Sequence, residues 1–132
     1  SGQNEAARPS FEAARRDLME RVRTSPDESR FQGALGIADA GLGLRDEALR
    51  AANRAVELMP SAKDAWLGTW RIEELALAHT MLGQVDEAVD RLDFLLAHTG
   101  EISAHSLRLD PRWDPLRKSP RFVALLAKFE TK

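Results

Sequence analysis

The chain contains no cysteine and no tyrosine, and its charges nearly cancel, leaving a net of −2. Without cysteine there is no disulfide framework, no thiolate metal site and no thiol nucleophile. A net charge this small supplies no global field drawing the chain to nucleic acid or anionic lipid. No apolar run approaches the roughly 18 residues a membrane span needs. The polar first residues lack the basic-then-apolar pattern of a secretory leader. A cytoplasmic protein with neither nucleic acid nor membrane as partner is therefore expected. What is present is ordinary for a folded chain: 132 residues, 43% apolar and 30% charged, which suits about one domain with one sizeable core.

The apolar residues recur at helical spacing. Phe11, Ala14, Leu18 and Val22 step by three and four, so a helix capped by Ser10 is expected over Phe11 to Arg23, behind a disordered polar tail at 1–9. Ser25-Pro26-Asp27-Glu28 reads as a capping box with proline at the first helical position, opening a helix to about Leu42. Gly43 ends it, and Asp46 is the expected cap of a third helix carrying Ala48, Leu49, Ala52, Ala55, Val56 and Met59 inward and ending at Pro60 and Ser61. A long helix over Ala62 to Leu82 and a partner over Asp86 to Ala97 follow. Ser103 is the expected cap of a short helix to Leu109. Two Asp-Pro steps around Trp113 then force turns, and Ser119-Pro120 opens a last helix bearing Phe122, Leu125, Leu126 and Phe129.

These helices repeat. Ala14, Leu18 and Pro26 recur 34 residues later as Ala48, Ala52 and Pro60. Leu42-Gly43-x2-Asp46-Glu47-Ala48 recurs 40 residues on as Leu82-Gly83-x2-Asp86-Glu87-Ala88. The six extra residues are most simply placed between Pro60 and Gly68. They amount to about 9 Å of helix, so the long helix should overhang its partner. If the period is structural, Ala14, Ala48 and Ala88 should be buried at equivalent positions.

With Gln32-x2-Leu35-Gly36-x2-Asp39, Ala48-x3-Ala52 and Pro60, residues 10–100 resemble the tetratricopeptide repeat family. Residues 107–126 look like the closing segment of bacterial signalling proteins that carry such repeats at their C-terminus, behind a kinase, a cyclase or a winged-helix domain. The resemblance implies an all-α fold of antiparallel helix pairs in a right-handed superhelix. It divides the domain 10–132 into a half repeat at 10–26, repeats at 27–60 and 61–100, and a cap at 101–132. It also implies a non-catalytic protein-interaction module, the C-terminal part of a larger regulatory protein. The departures are Asp39 and His79 where tyrosine is usual, Gln32 and Ile72 where tryptophan is usual, and the insertion. Gly33 and Ile37 stand at the positions where the family clamps a peptide carboxylate. Neither side chain donates a hydrogen bond, so that mode is not expected here.

Other constellations carry little chemistry. His98-x2-Glu101-x3-His105 has ligand residue types, but Gly100 breaks the helix that would align them, and no metal site is expected. Asp86, Glu87, Asp90 and Asp93 suit a helix start. No acid–base pair, nucleophile or phosphate loop stands at a recognisable spacing, so no catalytic residue and no cofactor is assigned. Arg108, Arg112, Arg117, Lys118 and Arg121 outnumber Asp110 and Asp114. They either meet an acidic partner or pair with those aspartates and with helix carbonyls.

Two features point to a surface. Gly33 and Gly41 leave bare backbone within a helix, either for a neighbouring helix to approach or for a ligand. Trp66 and Trp70 lie one turn apart on the overhanging half of the long helix, which is apolar on more than one face. The candidate partner-binding residues are Trp66, Trp70, Gly33, Ile37 and Leu77, taking a protein or peptide, with self-association allowed. The alternative is a small-ligand sensor using a concave face lined by Gly33, Ile37, Trp70 and Leu77. Trp113 is expected in the core as the plug of the repeat stack.

Overall fold

The computed structural model describes residues 2–59, 64–99 and 102–130. These residues form seven α-helices and one 3₁₀ segment, and no strand is found among them. The helices are α1 (Gly2–Thr24), α2 (Ser29–Gly41), α3 (Arg45–Leu58), α4 (Ala65–Met81), α5 (Val85–His98), α6 (Ala104–Leu109) and α7 (Pro120–Glu130). The 3₁₀ segment, Pro111–Leu116, joins α6 to α7.

Helix α2 packs on α1, α3 and α4; α3 also packs on α4, and α4 on α5. So many neighbours explain why α2 is built from small residues. Gly36 faces α3 so closely that a Cβ on it would lie 3.0 Å from both the Cβ and the backbone nitrogen of Ala52. The facing stripe of α3 is Ala48, Ala51, Ala52 and Ala55, all buried. Gly41 meets the Phe11 ring of α1, whose Cε2 would be 2.5 Å from an added Cβ. Both glycines permit a close approach that a side chain would block.

The two inter-helix turns are copies. Gly43 and Gly83 take φ of +74° and +76°, where glycine alone is unstrained. Each follows the same bonds: Leu42 N–H donates to Ala38 and Leu44 N–H to Asp39, while Leu82 donates to Ala78 and Gln84 to His79. The 40-residue sequence echo is therefore an echo of backbone geometry.

Beyond α5 the chain closes a larger core. Trp113 and Leu116 of the 3₁₀ segment, Leu107 of α6, and Phe122, Leu125 and Leu126 of α7 cluster with Leu92 and Leu95 of α5. Trp113 is 1% exposed. Asp110 fixes the turn before it by accepting from the Arg112 N–H at 2.9 Å. Ser103 and Ser106 form the reciprocal cap of α6. Ion pairs from Arg121 to Asp86 and Asp90 brace α7 on α5.

Several boundaries differ from the sequence expectation. Helix α1 starts at Gly2, not Phe11, so residues 2–9 are helical and not a disordered tail, and Ser10 lies inside the helix. Ala6 and Ala7 favour helix and the Arg8–Glu12 pair spans one turn, while Pro9 lies inside the helix and costs it one backbone hydrogen bond. Ser25 does not cap α2. Residues 25–28 form a turn held by Gln32 Nε2 donating to the Pro26 carbonyl at 2.9 Å, and the helix starts at Ser29. Asp46 does not cap α3, which begins at Arg45, and α5 begins at Val85, one residue before the expected Asp86. Leu44 and Gln84 are tied into the preceding glycine turns, which moves each helix start forward and leaves the acids in the first turn, where the helix dipole favours them.

The long helix begins at Ala65 behind Asp64, whose carboxylate accepts from the Leu67 N–H at 3.0 Å. At 17 residues it is longer than α2, with 13, and α5, with 14. The expected start of this helix at Ala62 does not hold, because Asp64 is extended and caps it; the expected end of α3 at Pro60 and Ser61, the helix break at Gly100, and Glu101 of the histidine constellation lie outside the described residues. Ala48 and Ala88 are fully buried. Ala14 is only half-buried, because α1 packs chiefly on α2. No described helix is long and apolar enough to cross a membrane.

Candidate functional site: the exposed face of helix α4

Helix α4 changes character along its length. From Leu75 to Thr80 six consecutive residues are buried, and Leu75, Ala76, Leu77 and Ala78 belong to the two hydrophobic clusters. The first turns are covered on one side only. Gly68, Thr69 and Arg71 point inward, while Trp66 and Trp70 are 58% and 51% exposed. Neither the N-terminal helix nor the segment 103–117 covers the two indoles. They are the largest exposed apolar side chains among the described residues.

Trp66, Thr69, Trp70 and Glu73 line a hollow of about 130 Å³. Glu73 is one turn beyond Trp70, with its side chain 26% exposed. Its one ion-pair contact among the described residues is with Arg112, at 4.0 Å, too far for a hydrogen bond. Arg112 is committed elsewhere, donating to Asp110 from Nε at 2.9 Å and Nη2 at 2.7 Å. Burial pushes the Glu73 carboxyl above the usual range; Arg112 partly offsets this and Asp110 adds to it.

Behind the hollow lies a buried pair. Arg71 Nε stands 3.3 Å from Glu74 Oε1, but neither atom has a partner of hydrogen-bonding geometry. Arg71 Nη1 reaches the Ser29 carbonyl on α2 at 3.3 Å. Burial is the main cause that pushes Glu74 to about 7; Arg71 opposes the shift and Glu73 reinforces it.

The other candidate residues do not join the face. Gly33 is buried, and the space over its Cα is filled by the Glu74 carboxylate and the Arg71 guanidinium. Leu77 is buried in the larger core, and Ile37 packs against that core from α2. The concave surface proposed for a small ligand is thus occupied by the protein's own side chains at Gly33 and Leu77. Asp39 is 2% exposed and accepts from Arg15 Nε of α1 at 2.6 Å. Burial pushes its carboxyl upward, and the Arg15 bond pulls it back. His79, its counterpart in the second turn, is buried, with Nδ1 2.7 Å from Gln84 Oε1.

The arginine-rich closing segment is internally paired. Arg108 bonds Glu130, Arg117 bonds Asp114 and the carbonyls of Leu107 and Asp110, and Arg121 bonds Asp86 and Asp90. His98 stacks on Phe94, their centroids 4.4 Å apart.

Sequence reasoning missed Thr69, Arg71, Glu73 and Glu74. The spacing Trp66, Trp70, Glu73 was available as an i, i+4, i+7 row on one helix face. What was not available was that Asp110 would hold Arg112 away and leave Glu73 without a close protein partner. No family profile, curated protein or solved structure matches this chain.

Proposed function

We propose that the chain is a non-catalytic interaction module with tetratricopeptide-like, right-handed superhelical packing. On this reading it is the C-terminal part of a larger bacterial regulatory protein of the cytoplasm. It engages a protein or peptide partner through the Trp66–Trp70 face of α4, and a second copy of the chain remains an admissible partner.

The observation carrying the reading is the exposure of two tryptophans one turn apart. Large exposed apolar patches on soluble domains mark contact sites, and tryptophan is enriched among the residues that dominate interface energies. The repeat reading is supported by the copied glycine turns and by α2 contacting α3 and α4 in sequence. The small-ligand alternative has no such support, because Gly33 and Leu77 are covered.

The test is Trp66→Ala beside the unmodified protein, by denaturant melts, sedimentation and partner capture. Stability should change by no more than about 0.5 kcal/mol, as for other surface substitutions, while capture or self-association is lost. A variant that loses stability with its associations intact would place Trp66 in the core and remove the proposed surface.

A further inference from the structure

We propose that the hollow between Trp66, Thr69, Trp70 and Glu73 receives an arginine side chain from a protein partner. This rests on the reading of the α4 face as a contact surface and names the chemistry it selects.

The lining combines two features. Trp66 and Trp70 offer half-exposed indoles, whose faces carry negative electrostatic potential and attract cations. Glu73 contributes a carboxylate to the same hollow. Its negative charge is poorly compensated, since Asp110 holds Arg112 through two hydrogen bonds and leaves it 4.0 Å from Glu73. An incoming cation would give Glu73 the direct protein partner that Arg112 does not supply. Over residues 64–74 Asp64, Glu73 and Glu74 stand against Arg71 alone; Arg71 and Glu74 face each other inward, and Arg112, the cation nearest Glu73, is held by Asp110.

The size and shape narrow the cation. About 130 Å³ corresponds to about four waters at liquid density, which fits a side-chain terminus and not a cofactor. A guanidinium is planar, weakly hydrated, stacks on aromatic faces and pairs with a carboxylate through two parallel N–H bonds. An ammonium is compact and strongly hydrated, so it meets the indoles and the carboxylate as a point charge, with neither planar stacking nor a paired N–H fork. Arginine therefore matches both halves of the lining.

The test follows the three indole N–H signals of the isotope-labelled full chain during titration with capped pentapeptides. The peptides carry arginine, citrulline or lysine at the centre and alanine elsewhere. The arginine peptide should shift Trp66 and Trp70 saturably and leave buried Trp113 unmoved. Citrulline, which keeps the plane without the charge, should bind at least ~10-fold more weakly, as should the arginine peptide to Glu73→Gln; cation–π and charge-assisted bonding support a loss of that order. Circular dichroism should show that variant folded, since Glu73 makes no hydrogen bond to lose.

Equal binding of citrulline, equal binding of lysine, an unaffected Glu73→Gln, or no shift at all would each overturn the proposal. Concentration-dependent Trp66 and Trp70 signals that the arginine peptide does not displace would assign the face to a second copy, and also overturn it. Loss of partner capture in Trp66→Ala without arginine binding would leave the contact surface standing and remove only the arginine assignment.

Discussion

The Glu74 carboxylate occupies the space that a methyl group on Gly33 would fill. A helix interior normally disfavours glycine by about 1 kcal/mol against alanine. Here the missing side chain makes room for a buried ion pair from the neighbouring helix. The relationship predicts coupling. Gly33→Ala should destabilise the fold despite its better helix propensity, because Glu74 and the Arg71 guanidinium behind it must move. Adding Glu74→Ala should recover part of that loss, giving a coupling of about 1 kcal/mol or more in a double-mutant cycle. Additive single effects would show that the two groups do not share the space.

Glu74 also makes stability depend on pH. Its folded-state pKa, about 7, lies above the ordinary 4.5, so between those values the folded chain binds more protons than the unfolded one. Stability from this group is then fully present near pH 4.5 and falls as pH rises through 7. Arg71 and Glu73 face the carboxyl with opposite effects, and burial outweighs both. Urea melts from pH 5 to 8 should show declining stability, and Glu74→Gln should flatten that slope. An unchanged slope in the variant would assign the dependence to another group.

Gly41→Ala should loosen α1 alone. The added Cβ would meet three atoms of the Phe11 ring at 2.5 to 2.6 Å, and α1 packs chiefly on α2. Hydrogen exchange should rise across residues 10–24 while Leu92 and Leu107, in the larger core, keep their protection, since docked elements can open below the global free energy. Uniform loss of protection would mean that α1 and the rest unfold as one unit.

Trp113→Ala should cost about 3–5 kcal/mol, as for other buried aromatic truncations. The ring is 1% exposed in the cluster of Leu116, Phe122 and Leu126. A loss below about 1 kcal/mol in denaturant melts would show that the segment between α6 and α7 is not a structural cap.

Much of this architecture is local and was therefore legible. Gly43 and Gly83 end helices through a φ that only glycine adopts without strain, and that preference belongs to the residue itself. Ser103 can cap α6 from within four residues, and the apolar spacing of Phe122, Leu125 and Leu126 defines one helix face wherever it docks. Helix starts were read less well. Ser25 and Asp46 are good caps in isolation, but Ser25 lies within the 25–28 turn and the backbone before Asp46 is bonded into the Gly43 turn, so each helix starts elsewhere.

The candidate site depended on what the chain does not encode locally. Trp66 and Leu77 lie on one helix and both read as apolar, yet one is exposed and the other buried. The difference is that Leu77 lies in the larger core, while Trp66 and Trp70 stand on the side of the first turns that no neighbour covers. Likewise, sequence alone shows glycine at position 33 and acids at 73 and 74. Only packing decides that one acid fills the glycine's space while the other is left facing two indoles. By itself the sequence determined the helices, their turns and the residues able to form a core. The tertiary structure decided which apolar and charged groups were left uncovered, because exposure is a property of neighbours distant in the chain.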